Sequence, residues 1–133
     1  MNAKAVVLHC GRVEGKDYTR TLIELVDKGN PGLGELKKIK DKMLLDREPK
    51  AKKHYVKLLK SLDELNAFAV KKDILLGIEN RFYYMEVPSA EETESILREF
   101  KASSLFYWHD VGHAQVWQEI GLAAHKDILK RLG

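Results

Sequence analysis

The sequence predicts an α/β fold, and three observations carry that expectation. Three short apolar runs, AVVLH (Ala5 to His9), ILLGIE (Ile74 to Glu79) and LFYWHD (Leu105 to Asp110), are rich in β-branched or aromatic residues and lack clean polar alternation. Strands buried on both faces read this way, which favours a parallel sheet covered by helices. Between and after the runs lie helical patterns, and such alternation argues for α/β architecture with right-handed crossovers.

The elements follow in order. After the first run, a helix of about Tyr18 to Asp27 stops at KGNPGLG, a strong breaker cluster. The lysine-rich stretch from Lys37 to Lys60 reads as the wet face of a helix. From Tyr55, the positions Leu58, Leu59, Leu62, Leu65 and Ala69 keep helical spacing and predict a core-facing stripe. After the second run, PSAEETESILREF opens with Ser89 as N-cap and Glu92 three residues later, a capping box. Ile96, Leu97 and Phe100 carry that helix's apolar face. After the third run, Trp117, Ile120, Ala124 and Ile128 share one side of a last helical segment, which Gly121 breaks into two pieces. Neither a repeat nor a linker nor a low-complexity tract divides residues 1–133, so a single domain is expected.

Composition narrows the class. With 133 residues, 44% of them hydrophobic, the chain can build one real core. Charged residues make up 32% with a net charge of only +3, which a solvated surface explains and which argues against a nucleic-acid partner. Cys10 is the single cysteine, so no internal disulfide forms, and beside Gly11 it reads as a small buried residue. The opening MNAKAVVLHC is too short an apolar run for a signal peptide, and no stretch approaches the ~20 residues of a membrane span. A soluble, cytoplasmic protein without a membrane partner is expected.

Each apolar run ends on a metal-competent side chain: His9, Glu79 and Asp110. In parallel α/β folds the ligand site lies beyond the carboxyl ends of the strands. His113 adds a fourth candidate after a turn that Gly112 permits. A divalent cation needs oxygen or nitrogen donors converging from several segments of a rigid scaffold, and imidazole with carboxylate suits zinc, manganese or cobalt, with magnesium fitting a carboxylate-dominated site. Plainer roles stand beside these. Asp110 also suits the N-cap of the following helix. Arg81 suits either an anionic substrate group or a surface salt bridge. His109, opposite to Asp110 in strand alternation, reads as structural, and His54 and His125 lack partner acids at useful spacing.

LGIEN, followed some thirty residues later by DVGHA, resembles the xylose-isomerase-like TIM-barrel superfamily, and VVLHCG is similar to that group's strand ending in His, a small residue and Gly. The group holds sugar-phosphate isomerases and epimerases together with type IV apurinic endonucleases. The resemblance implies that Glu79 is a metal ligand acting also in proton transfer. It implies Asp110 as a ligand, His113 as a substrate contact or ligand, and His9 as a zinc ligand in the endonucleases. A TIM barrel typically takes ~250 residues and eight strands, whereas three strands are identified here. The resemblance implies further strands carrying another His ligand, a Glu ligand and a second catalytic acid. The chain is therefore expected to be a partial (β/α) barrel: a fragment, a truncated homologue, or a half-barrel completed by assembly as a homo-oligomer.

The leading functional expectation is a divalent-metal-dependent sugar or sugar-phosphate isomerase or epimerase, weak or inactive as this chain alone. Glu79 would be the catalytic residue, with His113 and Arg81 touching substrate. An apurinic endonuclease would want more histidines and a basic groove. A non-catalytic half-barrel serving oligomerisation is the third reading.

Overall fold

The computed structural model describes residues 3–29, 32–101 and 103–133. The three apolar runs form β1 (Ala5–Leu8), β2 (Leu75–Glu79) and β3 (Leu105–Trp108), paired in parallel in the order β1-β2-β3. Five helices complete the described residues: α1 (Thr19–Asp27), α2 (Leu33–Lys72), α3 (Ala90–Glu99), α4 (Val111–Glu119) and α5 (His125–Leu132). This is the mixed α/β arrangement that the alternation of patterns predicts. Asn30 and Pro31 of the breaker cluster lie outside the described residues, but α1 ends at Asp27, just before the cluster, and α2 begins at Leu33, within its last two residues. None of the described helices is long and apolar enough to cross a membrane.

Register decides which side chains share a face. Val6, Leu76 and Leu105 are partners across the sheet, as are Leu8, Ile78 and Tyr107. Their side chains point one way, and those of Val7, Phe106, Glu79 and Trp108 point the other. The first face joins the main core, where Leu76, Ile78 and Leu105 pack with Ala51, Leu58, Leu62 and Ala69 of α2 and Ile96 of α3. On the second face, Val7, Phe106 and Trp108 belong to none of the core clusters, and Leu75 is 52% and Trp108 42% exposed. Burial on both faces, expected for all three strands, therefore holds only for β2 from Leu76 onward. β1 and β3 are sheet edges, and the described helices contribute their core residues to one side. Gly77 lies beneath the exposed indole, where a Cβ would sit 3.0 Å from that of Trp108.

The crossover between β1 and β2 runs through α1 and then through α2, a helix of 40 residues, about 60 Å long at 1.5 Å per residue. Pro49 lies inside it and removes the N–H that would reach the Leu45 carbonyl. The buried positions Met43, Arg47, Ala51, Leu58, Leu62 and Ala69 follow the helical period. Leu65, expected on this stripe, is exposed instead. The inward row passes through Asn66, whose Oδ1 accepts the Ser104 N–H at 2.9 Å. Two smaller clusters seat the remaining helices, one around Leu22, Met43 and Ile120, the other around Ala114, Ile128 and Leu132. Gly121, at φ 66°, makes the expected break between α4 and α5.

The loops leaving β1 and β2 interlock above the carboxyl rim. Val13 donates its N–H to Met85 (2.7 Å) and Val87 donates to Gly11 (3.0 Å), with Val13, Met85 and Val87 all buried. Asp17 ties the same loops to α1 by accepting from the backbone of Thr19 and Met85.

α3 starts with the expected capping box. Ser89 Oγ accepts the Glu92 N–H at 3.2 Å, and Glu92 Oε2 accepts the Ser89 N–H at 2.6 Å. The same carboxylate takes both terminal nitrogens of Arg47 from α2, at 3.2 and 2.7 Å. Arg47 is buried, so Glu92 is both cap and counter-charge. Removing one partner of a buried pair strands the other charge, whereas losing a cap removes one hydrogen bond. Glu92→Ala is expected to cost about 3–5 kcal/mol and Ser89→Ala about 1 kcal/mol, read from urea unfolding of the two variants. Equal losses would show that Arg47 finds solvent once Glu92 is gone.

Candidate metal centre

Glu79 closes β2, His9 follows β1 by one residue, and Asp110 follows β3 by two. All three stand at the carboxyl ends of parallel strands, so they share one rim, and α4 carries His113 back over it. Glu79, Asp110 and His113 each offer a ligand atom, and these atoms lie within 4.8 Å of one another. His113 Nδ1 is 4.0 Å from Glu79 Oε2 and 3.8 Å from Asp110 Oδ1. His9 stands at the edge of the group, its Nε2 3.5 Å from Glu79 Oε2, and its side chain is 70% exposed. The sequence-predicted ligands are thus together, with His9 beside the triad and not within it.

The reading of Asp110 as a helix cap and its reading as a site residue both describe its geometry. It is the N-cap of α4, its Oδ1 accepting the His113 N–H at 2.8 Å. His113 Nδ1 lies 2.9 Å from the Asn80 carbonyl. A carbonyl only accepts, so Nδ1 carries a proton, and Nε2 is the ring nitrogen left to offer a lone pair to an ion.

Arg81 differs from both of its expected roles in one respect. It is an ion-pair partner, but a buried one and not the surface bridge foreseen: its guanidinium contacts Glu79 Oε2 through Nη1 and Glu86 Oε1 at 2.9 Å through Nη2. The same Nη2 lies 3.4 Å from His9 Nδ1. Glu86 in turn accepts the Tyr83 N–H at 3.0 Å, which fixes its carboxylate. Two carboxylates, one guanidinium and one imidazole are packed into a few ångströms. The donors fit a divalent cation in number and chemistry, and the group that stands against one is Arg81.

Asn80 is the residue to which no role was assigned from sequence, although it sits inside the quoted GIEN motif. Its side chain holds the backbone of Asp110 on both sides, donating to the carbonyl at 2.9 Å and accepting from the N–H at 2.7 Å. Tyr107 Oη donates to the same Asn80 oxygen at 3.0 Å and lies 2.6 Å from His109 Nδ1. With the phenol proton given to Asn80, His109 donates through Nδ1–H, and its Nε2 is left to accept from His125, 2.6 Å away. The structural reading of His109 agrees with this chain of bonds. His125 does have a partner, supplied by α5 packing and invisible in sequence spacing. His54 likewise finds Glu14, at 2.7 Å. Burial pushes the Cys10 thiol up to about 11, in keeping with an inert cysteine.

Burial first, and then the neighbouring His125, lower the His109 pKa from its ordinary 6.5, with Asp110 opposing. The neutral ring is thus favoured in the folded state. The unfolded chain takes up the proton first as pH falls, so this contribution to stability is complete above pH 6.5 and is lost below it, towards the lower native value. Midpoints of urea unfolding are expected to drop as pH is lowered from 7 through this window, and His109→Asn is expected to flatten the drop. An unchanged slope in the variant would place the titration elsewhere.

No protein-family model, curated protein or solved structure matches this chain.

Proposed function

We propose that the three strands are consecutive strands of a xylose-isomerase-like TIM barrel, and that their rim carries part of the centre of a divalent-metal-dependent sugar or sugar-phosphate isomerase or epimerase. The observation that carries this reading is the convergence of Glu79, Asp110 and His113 beyond the carboxyl ends of adjacent parallel strands. Strand-end convergence of this kind is where barrel enzymes place their chemistry. Glu79, Asp110 and His113 are the residues to hold the ion, with His9 beside them. A bound divalent ion supplies Lewis-acid polarisation of a sugar carbonyl and its neighbouring hydroxyl. Glu79 is the carboxylate to which this reading assigns proton transfer between adjacent carbons. Asn80 orients Asp110 and His113, and Arg81, paired with Glu79 and Glu86, supplies the positive charge beneath the rim.

The open sheet face supports assembly. Val7, Phe106 and Trp108 are outside the core clusters, and β1 and β3 each leave one edge without a partner strand among the described residues. Exposed parallel edges and an apolar face favour pairing with another copy or with further strands.

The metal reading is tested by titrating the chain with Co²⁺ in a calorimeter. Weak one-to-one binding is expected, reduced about tenfold or more by Glu79→Gln and by Asp110→Asn. Binding that ignores both substitutions would remove the site. Turnover of an aldose or ketose phosphate by this chain alone is expected to be weak or absent. Association is tested by sedimentation equilibrium, where a dimer burying upwards of ~2,000 Å² would leave little monomer at micromolar concentration. A stable monomer would overturn the homo-oligomer.

A further inference from the structure

The charge pattern at the rim has a feature that a bare ligand set lacks. Glu79 and Glu86 are both nine-tenths or nearly so buried, and between them lies a guanidinium that is itself only 8% exposed. Glu79 Oε2, the oxygen nearest His113 and His9, is also the oxygen that Arg81 contacts. A carboxylate oxygen cannot give its full charge to a divalent ion and a guanidinium together, and the two cations repel at such range in a site of low polarisability. Arg81 has an alternative anchor in Glu86, already engaged through Nη2 and held by the Tyr83 N–H. The planar fork of arginine makes this possible, because each terminal nitrogen can serve a different carboxylate.

We propose that Arg81 is a resident counter-cation that competes with the metal for Glu79 and withdraws onto Glu86 when the ion binds. This rests on the metal reading above and adds a regulation of that same site. In the metal-free chain Arg81 neutralises Glu79 and keeps the rim folded. With the ion bound, Nη1 leaves Glu79, and the guanidinium is retained by Glu86 alone. Apparent metal affinity is therefore set partly by how strongly Arg81 holds Glu79.

The test is a double-mutant cycle in Co²⁺ affinity by calorimetry, on the whole 133-residue chain, with far-UV circular dichroism to establish folding. Arg81→Gln is expected to tighten Co²⁺ by about tenfold, the scale of one charge-assisted contact. Glu86→Gln is expected to weaken binding when Arg81 is present, because Arg81 then has only Glu79, and to do so much less in the Arg81→Gln background. A simple loss of negative charge would weaken binding equally in both backgrounds, and that result overturns the proposal. Co²⁺ bound by the wild-type chain with an affinity unchanged in Arg81→Gln overturns it too, while leaving the metal site intact. Binding seen only in Arg81→Gln supports it strongly. Binding by neither chain removes both the proposal and the metal reading. If Arg81→Gln does not fold, Arg81→Lys replaces it. Its single ammonium cannot fork between two carboxylates, so about threefold tighter binding is expected, and wild-type affinity in folded Arg81→Lys overturns the proposal.

Discussion

The rim depends on two hydrogen bonds from one side chain. β3 ends at Trp108, and the regular pairing of β2 with β3 ends at Glu79 and Trp108. Asn80 prolongs that pairing past the last strand residue by holding both backbone groups of Asp110 with its amide. A side-chain amide has the same donor and acceptor as a peptide group, so it substitutes for the missing ladder position. Asp110, two residues beyond the Glu79 partner Trp108, is thereby held at the rim, and it then starts α4, which returns His113 to the Asn80 carbonyl. A strand end, a helix start and a ring orientation are coupled through Asn80.

Around this joint the molecule places charges where the hydrophobic core cannot solvate them. Arg47 with Glu92, and Arg81 with Glu79 and Glu86, are buried or nearly buried ion pairs at opposite ends of the loops that follow β2. Desolvation offsets much of the Coulomb attraction in such pairs, so their net contribution to stability is modest while the penalty for breaking them is large. They act on geometry more than on total stability. Arg47 also donates to the Glu86 carbonyl at 3.2 Å, which links the two networks through the segment that carries Glu86. The capped start of α3 and the carboxylates of the rim are in this way parts of one charge arrangement.

Much of the fold was legible because its signals are local. The breaker cluster after α1, the Ser89 and Glu92 box and the Gly121 break are each written within a few residues, and each stands where expected. The strand runs were legible as well, but their burial was not. A run such as AVVL reads the same in the middle of a sheet and at its edge, because exposure depends on what packs against it. The long helix showed in the sequence only as two overlapping stretches, Lys37 to Lys60 and Tyr55 to Ala69, which the structure joins in α2. A lysine-rich wet face and an apolar stripe are two sides of one helix, and only packing shows that Asn66, not Leu65, faces inward.

The sequence by itself determined the alternation of strands and helices, and the placement of His9, Glu79 and Asp110 at strand ends. Both follow from periodicity and chain order, which are properties of neighbours along the chain. Only the tertiary structure decided that Glu79, Asp110 and His113 come within ligand distance of one another, that Arg81 is buried against two carboxylates, and that His109 meets His125. These are encounters between residues up to tens of positions apart. Their energies depend on burial and on the orientation of side chains across strands and helices, which no local pattern encodes.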